Sequence, residues 1–448
     1  MNKLNARCCG TAGNEAMVNK PDKMIVISLD AVGGMDEAYL KKLPNFSRFM
    51  ADAVKCSHVA SVYPSITYPA HVSIVTGRYP KNHGVINNTL LQPNRESPDW
   101  YWQRKYIQGT TLYDEAIKKG LKVAALLWPV TAKSDIQYNV PEIFANRPWT
   151  NQIFTSLANG TPAYQAILNQ KFGHLRDGKK QPQLDDFVHQ SLLYTLEKYK
   201  PDLTLVHYTD VDTTRHMYGV GSKEAFEALR RHDRRLGEIL ALCRRLGIAE
   251  HTNIVILGDH YQKDVERVIY LNDLLCRHGY LTMKNGRITD WKAIGKNCDG
   301  SAYIYIRKGC REVYEPLYNL FKELQFDEEF GIEQVYTHGQ AVQKGADRRC
   351  AMMLEAKDGW YFLDSGRGIS ENVMIDQADA PSPQLRAVHG YDPDKEDYTT
   401  FFMASGPGFK KDVRIPSMRL IDEGPTLAKL LGVSLGEIDG RVLEEMLL

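Results

Sequence analysis

The sequence predicts an α/β protein, a doubly wound and mostly parallel sheet with helices on both faces and a smaller inserted lobe. Three observations predict it. Short unbroken apolar runs, the pattern of strands buried on both faces of a parallel sheet, occur at Met24–Leu29 (MIVISL), Leu203–Tyr208 (LTLVHY) and Asn253–Leu257 (NIVIL). Between them lie helical patterns with apolar residues three and four apart, such as 192–199 and the long 223–245, and strand–helix alternation builds parallel sheets. Each run also ends in acids: Asp30 after the first, Asp210 and Asp212 after the second, Asp259 with His260 after the third. Ligands of such sheets bind beyond the strand C-termini, so these side chains are expected to converge.

In chain order, residues 1–22 are polar and small and read as a disordered N-terminal segment, and 23–448 as one catalytic domain. A further core strand is expected at 122–128, followed by a Pro-rich irregular stretch at 130–149. Residues 265–385 leave the alternation, with β-like runs at 301–306 and 351–355, and read as the inserted lobe. With 43% hydrophobic and 25% charged residues, the 448-residue chain has an ordinary globular composition, which excludes fibrous and disordered classes. A formal charge of +1 supplies no global field for a nucleic-acid polymer or an anionic membrane. The longest strongly apolar stretch, Leu121 to Val130, is far short of the ~20 residues that span a bilayer, so no membrane span is expected. No apolar segment follows Lys3 and Arg7, and the eight cysteines include no C-x-x-C pair. Reduced thiols in a cytoplasm are the expectation, with secretion the alternative if a leader has been removed.

Each candidate for chemistry has a bland alternative. An Asp after a strand is usually a cap or turn residue. Asp212 and His216 are spaced i, i+4, which on a helix puts both on one face as two ligands of one metal require, yet that spacing is more often a surface ion pair. Asp259-His260 is a common dipeptide, and His389 in Val-His-Gly-Tyr-Asp is a lone loop histidine. The conjunction in order changes the odds. Together with a hydroxyl from Tyr63-Pro-Ser-Ile-Thr67-Tyr-Pro-Ala-His71, these residues supply two sets of hard or borderline ligands, suited to a pair of tetrahedral ions with open positions. Three histidines among them favour zinc, with Mn2+ the alternative. Pro64 and Pro69 frame a turn, and the apolar run after Pro69 is expected to form a helix whose N-terminus, near Thr67, favours an anion. Thr67 alone would more often be an N-cap; beside a metal it can become an alkoxide.

The order and wording of these motifs resemble the nucleotide pyrophosphatase/phosphodiesterase family of the alkaline phosphatase superfamily, from about Lys23 to the C-terminus. The most specific pieces are Ser28-Leu29-Asp30, Pro64-Ser-Ile-Thr67-Tyr-Pro-Ala-His71, Thr76-Gly-Arg-Tyr-Pro-Lys-Asn-His-Gly84 with Asn88 following, Asp212-Thr-Thr-Arg-His216-Met-Tyr-Gly219, Asp259-His260 and His389-Gly-Tyr-Asp392. The resemblance implies an alkaline-phosphatase-like fold and two Zn2+ ions, one held by Asp30, Thr67, Asp259 and His260 and the other by Asp212, His216 and His389. It implies that Thr67 is the nucleophile and that Asn88 donates to a non-bridging phosphate oxygen, where the bland reading is a turn residue. The family commonly has Asn at the position of Ala70 and Gly-Met at Tyr261-Gln262; neither departure is expected to touch a ligand, but Tyr261, bulky beside the metals, is expected to narrow or reshape the substrate pocket.

The implied reaction is hydrolysis of a phosphodiester or pyrophosphate bond, of a nucleotide or similar small molecule, through a phospho-threonine. Tyr68 is the expected wall for a base, with Trp100, Trp102, Phe144 or Trp149 opposite. A phosphomonoesterase or phosphonate hydrolase of the same superfamily is the alternative. Sulfatases need C/S-x-P-x-R, and Thr67-Tyr-Pro69-Ala-His71 has no such Arg. A non-catalytic binding protein would be expected to lose a ligand or the nucleophile, and none is lost. The sequence carries no signal of oligomeric state.

Overall fold

The structure, a computed structural model, describes residues 23–93, 95, 97–327, 330–365, 374–376 and 385–448. The N-terminal segment expected to be disordered, with Cys8 and Cys9, lies outside them. The apolar runs form the centre of an eight-stranded sheet. In chain order its first six strands are β1 (Lys23–Leu29), β2 (Val54–Ala60), β3 (Val123–Leu126), β4 (Tyr138–Val140), β5 (Leu203–Tyr208) and β6 (Thr252–Leu257). Two more, Thr400–Ser405 and Met418–Arg419, complete it. The spatial order is Met418–Arg419, β2, Thr400–Ser405, β6, β1, β5, β3, β4. β1 pairs in parallel with both β5 and β6, and Thr400–Ser405 is the antiparallel member, running against β2 and β6.

Alternation along β1 explains why helices cover both faces. Met24 and Val26 point into one apolar cluster with Ala70, Ile74 and Val75 of the Thr67–Thr76 helix and Leu427 and Leu431 of the Glu423–Leu431 helix. Ile25, Ile27 and Leu29 point into the other, with Leu229, Leu236 and Ile239 of the Lys223–Arg245 helix and Val188 and Leu192 of the Gln183–Lys198 helix. The central strands β6, β1 and β5 therefore end side by side, and Asp30, Asp212, Asp259 and His260 follow those ends.

Between β6 and Thr400–Ser405 the chain builds smaller sheets. Ala293–Asn297, Ser301–Ile306, Met352–Ala356 and Ile332–Thr337 make an antiparallel four-stranded sheet in that order. Lys263–Tyr270 pairs in parallel with Gly359–Leu363 and antiparallel with Met374–Asp376 and Ala387–Val388. Their common core includes Val268, Leu271, Ile304, Phe321 and Leu354. The pairing of Val388 with Lys263 matters for the site, because it returns His389 to the neighbourhood of His260. Among the described residues no helix is long and apolar enough to cross a membrane.

Candidate active site

Four donor atoms gather, one of them from His260. Its Nε2 lies 3.2 Å from Thr67 Oγ1, 3.3 Å from Asp259 Oδ2 and 3.4 Å from Asp30 Oδ1. A tetrahedron of donors bound at ~2.0–2.1 Å has edges of roughly 3.3–3.4 Å, so this spacing fits a small cation. Asp30 Oδ1 and Asp259 Oδ2 are buried and accept no hydrogen bond from the described residues, which an ion would remedy. The second cluster is Asp212, His216 and His389. Asp212 Oδ1 lies 3.2 Å from His216 Nε2, across one turn of the Asp210–Tyr218 helix, and 3.9 Å from His389 Nε2. Asp212 also groups within 4.8 Å with Asp30 and His260, so the two clusters adjoin. All seven residues expected from the sequence as metal ligands are brought together.

The electrostatics call for cations. Burial, with Asp212 adding repulsion, pushes Asp259 up to about 8, and burial with Asp212 and Asp259 raises Asp30 far above the usual carboxylate range. Burial holds His260 and His389 well below the usual imidazole value, leaving them neutral as metal ligands must be. His216 differs: against the opposing effect of burial, Asp212 lifts it to about 9. Its Nδ1 donates to the Ala387 carbonyl at 2.7 Å, which turns Nε2 toward Asp212.

Two further histidines, to which the motifs alone assign no role, back the first cluster. His207, in the β5 run, places Nε2 3.3 Å from Asp30 Oδ2. His71 bonds the Thr67 carbonyl through Nδ1 at 2.8 Å, and its Nε2 meets Ser28 Oγ at 2.9 Å. Ser28 Oγ is also 3.3 Å from His207 Nδ1. A buried histidine in a mostly apolar strand needs a polar partner, and that is the signal the sequence offers for His207.

Thr67 is the first residue of its helix, and Ile66 is the N-cap. The helix thus begins before Pro69, which sits in the first turn where a missing N–H breaks no bond. The Thr67 hydroxyl does not cap the helix; it faces His260. Asn88 Oδ1 accepts the Tyr68 N–H at 2.9 Å, an arrangement that leaves the Asn88 amide NH2 available as a donor beside Thr67. Tyr68 itself is fully buried, its ring edge-on to Trp100 at 5.2 Å. Trp100 packs in turn on Phe144 at 5.0 Å, and both retain accessible surface. Burial and the facing Glu142 raise the Tyr68 phenol, and burial pushes Glu142 itself up to about 8.

Four expectations are corrected. Asp210 does not converge with the other acids; Arg231 takes it at 2.7 and 2.8 Å and Arg235 at 3.3 Å, holding it in a structural ion network. Tyr261 does not narrow a pocket, because its ring packs against Gly33 and lies under the Arg215 guanidinium, 4.9 Å from ring centre to Cζ. Trp149 stands 80% exposed and, among the described residues, makes no ring contact with Trp100, Trp102 or Phe144. Gln262, expected to touch no ligand, does touch one: its Nε2 donates to Asp212 Oδ1 at 2.5 Å. Asp299, to which no sequence motif gives a role, places Oδ2 3.6 Å from His389 Nδ1.

Residues 24–392 match the model of type I phosphodiesterases and nucleotide pyrophosphatases. The chain is 23% identical over 431 residues to human bis(5'-adenosyl)-triphosphatase ENPP4, covering 92% of this chain and 79% of that one. It is 21% identical to venom phosphodiesterase 2 of Crotalus adamanteus, with 96% of this chain and 48% of the relative covered. Its fold superposes on murine ectonucleotide pyrophosphatase/phosphodiesterase 5 with a TM-score of 0.65 at 20% identity, over 95% of this chain and 100% of that one.

Proposed function

The chain belongs to the type I phosphodiesterase / nucleotide pyrophosphatase family, and on that premise we propose that it hydrolyses phosphodiester or pyrophosphate bonds of nucleotides with Thr67 as the attacking group. Asp30, Thr67, Asp259 and His260 would hold one Zn2+, and Asp212, His216 and His389 the other. When bound, the two ions lower the pKa of the attacking hydroxyl and of water and offset charge on the leaving oxygen. The observation that carries this is the 3.2 Å approach of Thr67 Oγ1 to His260 Nε2 among buried carboxylate oxygens without hydrogen bonds from the described residues.

Thr67 Oγ forms a bond to phosphorus as the bond to the leaving group breaks in line, leaving the phosphoryl group and its remaining substituent on Thr67. Water then attacks phosphorus from the opposite side and restores the hydroxyl, so configuration is retained over the two steps. Asn88 Nδ2 donates to a non-bridging oxygen, pre-oriented because its Oδ1 is occupied by the Tyr68 N–H. Trp100 and Phe144, which keep accessible surface, offer the apolar edge for a base, with Tyr68 buried behind Trp100. The sheets between residues 265 and 385 are read as the inserted lobe that brings His389 to this centre. The relatives include venom enzymes and ectonucleotide phosphodiesterases, so the cytoplasmic placement expected from the cysteines is not supported.

The test is a turnover panel with a nitrophenyl ester of a nucleoside monophosphate, an aryl phosphate monoester, a phosphonate and a choline phosphodiester, run beside elemental analysis. Turnover of the nucleotide ester with about two zinc ions per chain supports the reading. Preference for the monoester or the phosphonate would move the protein to that branch of the superfamily.

A further inference from the structure

His389 is clamped by a turn that belongs to the smaller sheets. The turn joins Ala293–Asn297 to Ser301–Ile306. Within it the Gly300 N–H donates to the His389 carbonyl at 2.8 Å, and the Ser301 hydroxyl to the Gly390 carbonyl at 2.6 Å. Gly390 has φ +85°, and a Cβ there would lie 1.6 Å from the Cys298 carbonyl oxygen, so only glycine lets the two segments close to this distance. At the turn's apex Asp299 adopts φ +63°, and its carbonyl accepts the Phe362 N–H at 2.8 Å. This backbone places Asp299 Oδ2 3.6 Å from His389 Nδ1. That nitrogen is buried and has no hydrogen-bond partner among the described residues, while Nε2, on the far side of the ring, faces Asp212.

We infer that Asp299 is a positioning residue which, through His389, sets the affinity of the metal held by Asp212, His216 and His389. The inference rests on the reading of His389 as a ligand. An imidazole that coordinates through Nε2 must keep its proton on Nδ1, and a carboxylate facing Nδ1 fixes that tautomer, holds the ring plane and raises the donor strength of Nε2. The neighbouring ligand needs no such side chain, since His216 Nδ1 is tied to a backbone carbonyl. Asp299 also acts electrostatically on His216, a ligand of the same cluster, so dependence on Asp299 falls on one metal, and it comes from outside the eight-stranded sheet.

The test uses full-length protein stripped by chelator and titrated with Zn2+ against a competing indicator, with Co2+ absorption as a second readout. Three variants are compared: Asp299→Ala, Asp299→Asn and His389→Ala. The expected result is that His389→Ala binds one metal. Asp299→Ala should bind the first normally and the second ~10–100-fold more weakly, the usual loss for an outer partner of a ligating histidine. Asp299→Asn, which tolerates the left-handed backbone and keeps an acceptor oxygen, should fall between. Wild-type affinity at both sites in Asp299→Ala, while His389→Ala loses a metal, would overturn the inference. Weakening of both sites, or an equal drop in metal-free melting temperature in Asp299→Ala and Asp299→Asn, would make Asp299 a structural residue only. If His389→Ala still binds two metals, it is the underlying ligand assignment that fails.

Discussion

Thr67 Oγ1 lies 3.2 Å from His260 Nε2 although 193 residues separate them. One begins a helix after β2 and the other follows β6, so the contact exists because the sheet brings those ends to one crevice. The hydroxyl is within reach of the same space as three carboxylate or imidazole donors.

Thr67→Ala is expected to lower kcat by at least ~10³-fold, because it removes the attacking atom. Metal content should change little, since Asp30, Asp259 and His260 remain. Thr67→Ser keeps an oxygen at that position and should retain measurable turnover. Retention of most activity in the alanine variant would require water itself to be the direct attacker.

Asn88 tests the oxyanion reading through two substitutions. Asn88→Ala should cost ~10²–10³-fold in kcat, the loss of one preorganised donor. Asn88→Asp should cost more, because a carboxylate still accepts the Tyr68 N–H but turns its other oxygen, now an acceptor, toward the phosphate. Comparable activity in the aspartate variant and the wild type would remove Asn88 from the mechanism.

The metal-free protein should lose stability as pH rises through the neutral range. Asp259, raised to about 8, and His216, raised to about 9, both hold protons in the folded state that the unfolded chain releases at lower pH. Where the folded state binds more protons, stability falls with increasing pH. The window runs from roughly pH 4 to 8 for Asp259 and from roughly 6.5 to 9 for His216. Bound zinc takes the place of those protons, so the rise in melting temperature on adding Zn2+ should grow from pH 6 to pH 8, with proton release on binding. His260 and His389, held low, act in the opposite direction and oppose folding below about 6.5. Thermal scans of chelated and zinc-loaded protein across this range decide it; a metal-induced shift that shrinks toward pH 8 would contradict it.

What could be read from the chain, and what could not, divides along a physical line. Asp30, Asp259 and His260 were legible because unbroken apolar runs declare central strands, and the C-terminal ends of central strands declare a crevice. Asp210 carries the same local signal as Asp212, yet its direction is decided by Arg231 and Arg235 from the next helix, a tertiary fact with no local signature. Tyr261 reads as bulk beside the metals, but a cation–π partner, Arg215, draws it away. Asp299 sits in a turn that reads as ordinary, and only the close approach of Gly390 to Cys298 reveals what it faces.

The last prediction is that diesters are preferred to monoesters, and it follows from charge. Two zinc dications would exceed the three carboxylates Asp30, Asp212 and Asp259 by a single unit, and ionised Thr67 cancels that unit. A diester monoanion then enters a nearly neutral site, whereas a monoester dianion needs a further cation, usually an Arg. Among the described residues no Lys or Arg is among the groups acting most strongly on Asp30, Asp212 or Asp259; Arg215 is already paired with Asp36, and Lys179, 4.2 Å over the Phe144 ring, acts on Glu142. Glu142 adds a carboxyl instead, pushed up to about 8 by burial but driven back toward ionisation by nearby dications. We expect kcat/KM for a nucleoside-monophosphate aryl ester to exceed that for the aryl monoester by at least ~10²-fold, about 3 kcal/mol of transition-state discrimination. Glu142→Gln removes the added charge and should narrow that ratio by raising monoester turnover several-fold. Equal kcat/KM values for the two esters in the wild type, in one buffer, would show that the site matches a dianion and that some cation outside this constellation supplies the missing charge.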